Sequence, residues 1–178
     1  MQFIDLKTLF TLVAFVLFLH EMEEWNIDEY HKKHYTDLKV TETKLSVRLW
    51  LFFLSAVGFI WAFVANVIPL VMVSAAFFML LIDFVFLNGV QHVLISMKTR
   101  KYNPGLLFGG IIGLIVNVLV VVKIVVDQVM PVGLLIAFLL LVIPGIIQTI
   151  KSLKTTRMPG MLVKILEFSL ELEKLMTQ

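Results

Sequence analysis

Five apolar runs, each about 20 residues long, alternate with shorter polar segments along the chain. A run of that length suits a helix crossing the hydrocarbon core of a bilayer. The pattern predicts spans over 6–25, 45–68, 69–97, 104–126 and 131–150. Pro69, Pro104 and Pro131 stand where the last three open, and proline is tolerated in a first helical turn. After the last run, positions 159–177 become amphipathic. Leu162, Ile165, Leu166, Leu172 and Leu175 lie broadly on one side, with Lys164, Glu167, Glu171 and Lys174 on the other. Such a helix lies on the cytoplasmic membrane surface or packs against the bundle. The chain thus reads as a single all-α membrane domain over 1–178: a polytopic bundle of five transmembrane helices plus a C-terminal amphipathic helix.

Composition agrees. The 178 residues are 60% apolar with a mean hydropathy of +0.96, whereas a soluble domain is about half apolar. Cys is absent, which excludes disulfides, thiolate catalysis and Cys-ligated zinc. A net charge of +2 gives no footprint for nucleic acid. Positions 1–19 lack a basic leader and a small-residue cleavage site, so a retained first span is expected.

Basic residues divide between two sides. Lys32, Lys33, Lys39 and Lys44 lie in one loop, Lys98, Arg100 and Lys101 in another, and Lys151, Lys154, Arg157, Lys164 and Lys174 in the tail. Only Lys7 and Lys123 face them across the membrane. The positive-inside rule predicts an outside N-terminus and a cytoplasmic C-terminus, in keeping with an odd number of spans.

Chemistry concentrates where the first span ends, at His20-Glu21-Met22-Glu23-Glu24. Three carboxylates at a helix C-terminus repel one another and the backbone dipole, so something positive should offset them. His20, Glu23 and Glu24 fall within roughly a 100° arc, with Glu21 at its edge. His20 lies roughly 7–8 Å inside the cytoplasmic boundary, and His92 on the third span roughly 9 Å inside. Two imidazoles and a carboxylate at one depth suit zinc with water in the fourth position, and iron as the second choice. The predicted metal ligands are His20, Glu23 or Glu24, and His92. The spare carboxylate of Glu23 or Glu24 is the candidate general base. The plainer reading of the cluster is a solvated membrane exit.

At the same level the fourth span begins with Tyr102-Asn103-Pro104-Gly105. Asn103 can cap it, and its free amides attract anions. Arg100, Tyr102, Asn103 and Gly105 are the candidate substrate-binding residues, for an amphiphile with a phosphate or carboxylate headgroup.

His20-x-x-Glu23-Glu24, the later His92 and Tyr102-x-Pro104-Gly105 together resemble the HXXEE domain family of small, mostly bacterial membrane proteins, over about 10–150. Every motif position is filled. The resemblance implies a bacterial inner-membrane protein and a metal-dependent enzyme of unassigned reaction.

Other polar positions have plainer readings. Asp83 and Asn117 share a depth near the bilayer centre, as a functional pair or a hydrogen-bonded one. His31-Lys32-Lys33-His34 reads first as a solvated loop and second as a metal site. Gly109-x-x-x-Gly113 reads as close helix packing, with a homodimer as the alternative. Lys123 and Asp127 are expected to pair.

Two functions compete. The first is a membrane-embedded metal-dependent enzyme, acting on a lipid-like substrate from the cytoplasmic leaflet by hydrolysis with metal-activated water. Iron-dependent oxidation is its subsidiary form. The second is a non-enzymatic carrier or sensor of metal or protons using the same cluster.

Overall fold

The computed structural model describes residues 4–35, 42–155, 157–158 and 160–178. Eight α-helices follow in order: α1 (Leu6–Glu23), α2 (Ile27–His34), α3 (Lys44–Val67), α4 (Val71–Thr99), α5 (Leu114–Val126), α6 (Val132–Leu140), α7 (Ile143–Thr155) and α8 (Gly160–Met176). A π-helical segment, Leu106–Gly113, leads directly into α5. Four stretches, Lys44–Val67, Val71–Thr99, Leu106–Val126 and Val132–Thr155, are long and apolar enough to cross a membrane. Their outer faces expose Phe52, Ile60 and Phe63 on α3, and Ile115, Val118 and Val122 at the π-helical junction and on α5. So broad an apolar surface needs lipid around it. The chain is a helical membrane protein.

The first helix differs from these four. It has 18 residues, includes Lys7, Glu21 and Glu23, and sits inside the bundle against α3, α4, α5 and the π-helical segment. Asp5 caps it, accepting from the Thr8 backbone N–H at 2.6 Å. Leu9, Phe10, Val13, Ala14 and Leu17 are almost fully buried, and Phe10 stacks on Phe78 of α4 with ring centroids 4.0 Å apart. Small residues on the partners permit this approach. A side chain at Gly58 of α3 would meet Leu17 at 2.7 Å.

Several local expectations need correction. Pro69 and Pro104 each precede their helix by two residues, and Pro131 is the cap residue before Val132. The fifth predicted span is broken at Leu141–Val142 and continues to Thr155, past the expected end at Ile150. Pro144 explains the break: it lacks the N–H that would bond back to Leu140. The His31-Lys32-Lys33-His34 stretch is helical, and His31 is buried with Nδ1 3.0 Å from Glu42. Asp83 and Asn117 are both buried, yet neither side chain makes a hydrogen bond, so they are not a bonded pair. Lys123 and Asp127 do pair, at 2.9 Å. The tail helix α8 packs against α3, through Phe168 and Phe53 among others.

Candidate metal centre

The end of α1, the last third of α4 and the start of the π-helical segment meet around three buried side chains: His20, Glu24 and His92. One ligand atom from each lies within 4.8 Å of the others, and among the described residues this is the group fit to hold a metal ion. The Glu24 carboxylate lies between the imidazoles. One oxygen is 3.1 Å from His92 Nε2, and the other is 3.9 Å from His20 Nε2. The two rings stand edge to face with centroids 4.9 Å apart. Ligands at 2.0–2.2 Å around tetrahedral zinc sit roughly 3.3 Å apart, so a small contraction closes this set on an ion.

Hydrogen bonding orients His92. The Asn103 amide donates to the His92 backbone carbonyl at 2.9 Å and to Ser96 Oγ at 2.5 Å. Both contacts use the amide nitrogen, so the Asn103 oxygen is the atom 2.7 Å from His92 Nδ1. An oxygen there requires a proton on Nδ1. In neutral His92 the Nε2 lone pair then faces the Glu24 carboxylate, an acceptor facing an acceptor. A proton or a metal cation reconciles them. Metal-bound histidines are commonly held this way, with the far nitrogen donating to a fixed acceptor. Two imidazoles and a carboxylate, one imidazole so oriented, fit a divalent transition metal.

His20 is braced differently. Its Nε2 is 2.8 Å from the Asn88 amide nitrogen, and its buried Nδ1 has no partner. Two glycines make room for the rings. A Cβ at Gly105 would fall 2.5 Å from His92 Cε1 and 2.6 Å from His20 Cε1, and one at Gly109 would fall 2.5 Å from His20 Nδ1. Gly105 also has φ +87°, a conformation costly for other residues. Gly109-x-x-x-Gly113 thus serves close packing, and what its first glycine admits is the His20 ring.

Glu23 stands apart from this trio. Its oxygens accept from the backbone N–H groups of Leu107 at 3.0 Å and Phe108 at 2.8 Å, and from the Tyr102 hydroxyl. The N-terminus of the π-helical segment, expected to attract a substrate anion, already holds the protein's own carboxylate. Burial and Glu23 together push the Tyr102 phenol up to about 12, so it remains a neutral donor. Gly105, not Asn103, is the cap residue of that segment, because Asn103 is committed to His92. Arg100 is exposed and adopts left-handed backbone geometry at the end of α4.

A cavity of about 210 Å³ adjoins the centre. Glu21, Glu24, Asn88, His92 and Asn103 are among its polar lining residues, and Leu51, Leu54, Phe84 and Leu166 are among its apolar walls. His20 is not among its lining residues, and Tyr102 stands outside it on the surface. Glu21 is the functional-looking residue that helical geometry alone understated: it is wholly buried, and neither oxygen has a hydrogen-bond partner.

A family model described as "protein of unknown function with HXXEE motif" matches residues 11–120. The chain belongs to the HXXEE family. No curated protein and no solved structure matches it. The matched stretch runs from α1 into α5 and contains every residue of the centre. Within the HXXEE motif the named positions divide their work: His20 and Glu24 face His92, while Glu23 ties α1 to the π-helical segment.

Proposed function

We propose that this protein is a membrane-embedded metal-dependent enzyme, hydrolytic in chemistry, whose His20–Glu24–His92 centre serves an amphiphile held in the adjoining cavity. The observation that carries this reading is His92, with Nδ1–H committed to Asn103 and Nε2 turned on Glu24. Zinc is the favoured ion, since the donor set is two nitrogens and one carboxylate. When bound, such an ion supplies Lewis acidity and makes water a nucleophile near neutral pH. His20, Glu24 and His92 would hold it. Asn103 orients the His92 imidazole, the Asn88 amide holds His20 Nε2 until an ion takes its place, and the greasy walls of the cavity exclude bulk water. In this reading α1 is a fifth span, the basic loops and tail lie on the cytoplasmic side, and the cavity opens toward that leaflet.

Elemental analysis of detergent-purified protein tests the centre. About one equivalent of zinc is expected, and loss in His20→Ala and His92→Ala. Absence of metal from carefully prepared wild type, or full occupancy in both variants, overturns it. Metal-loaded protein incubated with short-chain amphiphilic esters and amides should hydrolyse them, and His92→Ala should not.

A carrier reading draws on Asp83 and Asn117, whose buried side chains lack partners deeper in the bundle. Zinc flux into proteoliposomes without any change in lipid composition would favour it.

A further inference from the structure

We infer that the cavity beside the metal centre binds the protonated amine of a small amphiphile, with Glu21 as the counter-charge. The inference rests on the enzyme reading above in treating this molecule as a substrate. Three observations support it. First, Glu21 is fully buried, lines the cavity, and has no hydrogen-bond donor for either oxygen. A buried carboxylate without a partner is costly, and a ligand N–H that reaches it removes the cost. His20 Nε2 is 4.0 Å from one Glu21 oxygen, and the Asn88 amide already contacts it.

Second, the remaining lining suits a cation. Tyr30, Tyr35 and Trp50 are among its lining residues, and an ammonium is attracted to aromatic rings. Among the described residues lining the cavity there is no Lys and no Arg. The Tyr30 hydroxyl is buried without a partner, and burial pushes that phenol up to about 12, so it stays neutral beside a positive ligand. An anionic headgroup would instead meet Glu21 and Glu24 with nothing positive in compensation beyond the two lining histidines. His31, one of these, is already engaged by Glu42.

Third, the size selects a short molecule. A volume of about 210 Å³ equals about seven waters at roughly 30 Å³ each, below the 300–1,000 Å³ of drug-sized pockets. An alkylamine of about seven heavy atoms fills it, its amine at Glu21 and its chain along Leu51, Leu54 and Leu166.

The test uses hexylammonium, with 1-hexanol and hexanoate as matched controls. Binding is read from Trp50 fluorescence in detergent-solubilised, metal-stripped protein carrying Trp25→Phe and Trp61→Phe. Hexylammonium should half-saturate at a concentration at least tenfold below that of hexanol, and hexanoate should not bind. Glu21→Gln should erase the advantage of the amine while retaining hexanol binding and, on reloading, the wild-type metal content. Leu54→Phe, which fills the cavity and leaves Glu21 in place, should block the amine. Equal binding of amine and alcohol, or amine binding that survives either substitution, overturns the inference. Because binding is read without metal, amine selectivity in a protein that never takes up zinc would sink the enzyme reading alone. A zinc-loaded protein indifferent to amines would sink only the inference.

Discussion

Asn103 holds His92 from the side opposite Glu24: its amide oxygen lies 2.7 Å from Nδ1, while Nε2 lies 3.1 Å from the carboxylate. The imidazole is thereby committed to one tautomer when neutral, and its lone pair is aimed into the centre before any ligand arrives. Removing that support should damage metal binding without removing a metal ligand. Asn103→Ala is expected to weaken zinc affinity 10–100-fold, measured by competition with a chromophoric chelator. An unchanged affinity would show that the ring is oriented by something else.

Glu23 should behave unlike Glu24. Glu23→Ala leaves the Leu107 and Phe108 amides without their acceptor, at a cost of about 1–3 kcal/mol in stability. Its zinc content should remain close to one equivalent. Glu24→Ala should lose the metal. Thermal denaturation and elemental analysis of the two variants together separate these roles, and zinc loss in the Glu23 variant alone would reverse them.

The Tyr102 contact carries a pH signature. The folded-state pKa is raised to about 12 from an unfolded value of about 10. A raised pKa means that the contact contributes fully below pH 10 and is lost as pH climbs through 12. Wild type and Tyr102→Phe should therefore differ in stability by a constant amount from pH 6 to 9 and converge in strong alkali. A difference that varied across pH 6 to 9 would contradict a neutral phenol donor.

Two glycines should resist even the smallest side chain. Gly105→Ala combines a positive φ, worth about 1–2 kcal/mol, with a methyl placed against both imidazoles. Gly109→Ala puts a methyl against His20. Both variants should lose zinc, whereas Gly133→Ala, with nothing within 4 Å of the added methyl, should retain it.

Orientation can be checked with single introduced cysteines, since the chain has none. Thiols placed in segments 26–44 and 98–103 should react from the cytoplasmic side, and one near Gln128 from the opposite side. Labelling of the 26–44 segment from outside would invert the arrangement and move the mouth of the cavity with it.

Much of this centre was readable from the residues because helical rise converts sequence position into depth. Counting from Trp25 and from Lys98 brought His20 and His92 to one level, and the structure sets their rings 4.9 Å apart. What depth could not supply was rotation and partner choice. Glu23 shares an arc with Glu24 on α1, yet its acceptor role depends on amides 84 and 85 positions away. Asn103 has the chemistry of a helix cap, but His92 and Ser96 lie close enough to take its amide instead. The π-helical turn after Gly105 left no periodic trace in so uniformly apolar a run. In α2, polarity suggested solvent, while the Glu42 carboxylate drew His31 inward.

The long separation between Glu23 and its amide partners bears on how the chain is made. At translation rates of about 5–20 residues per second, α1 precedes Leu107 and Phe108 by several seconds. For that interval a helix bearing three carboxylates lacks its acceptor bonds, the facing His92 and the glycines that enclose His20. A stable resting place in lipid is thus deferred until the stretch Leu106–Val126 has emerged, and biogenesis of the first helix becomes a late event despite its early synthesis. In a Glu23→Cys chain, stalled intermediates ending before Leu106 should remain open to a water-borne thiol reagent at position 23. Intermediates extended beyond α5 should be closed to it.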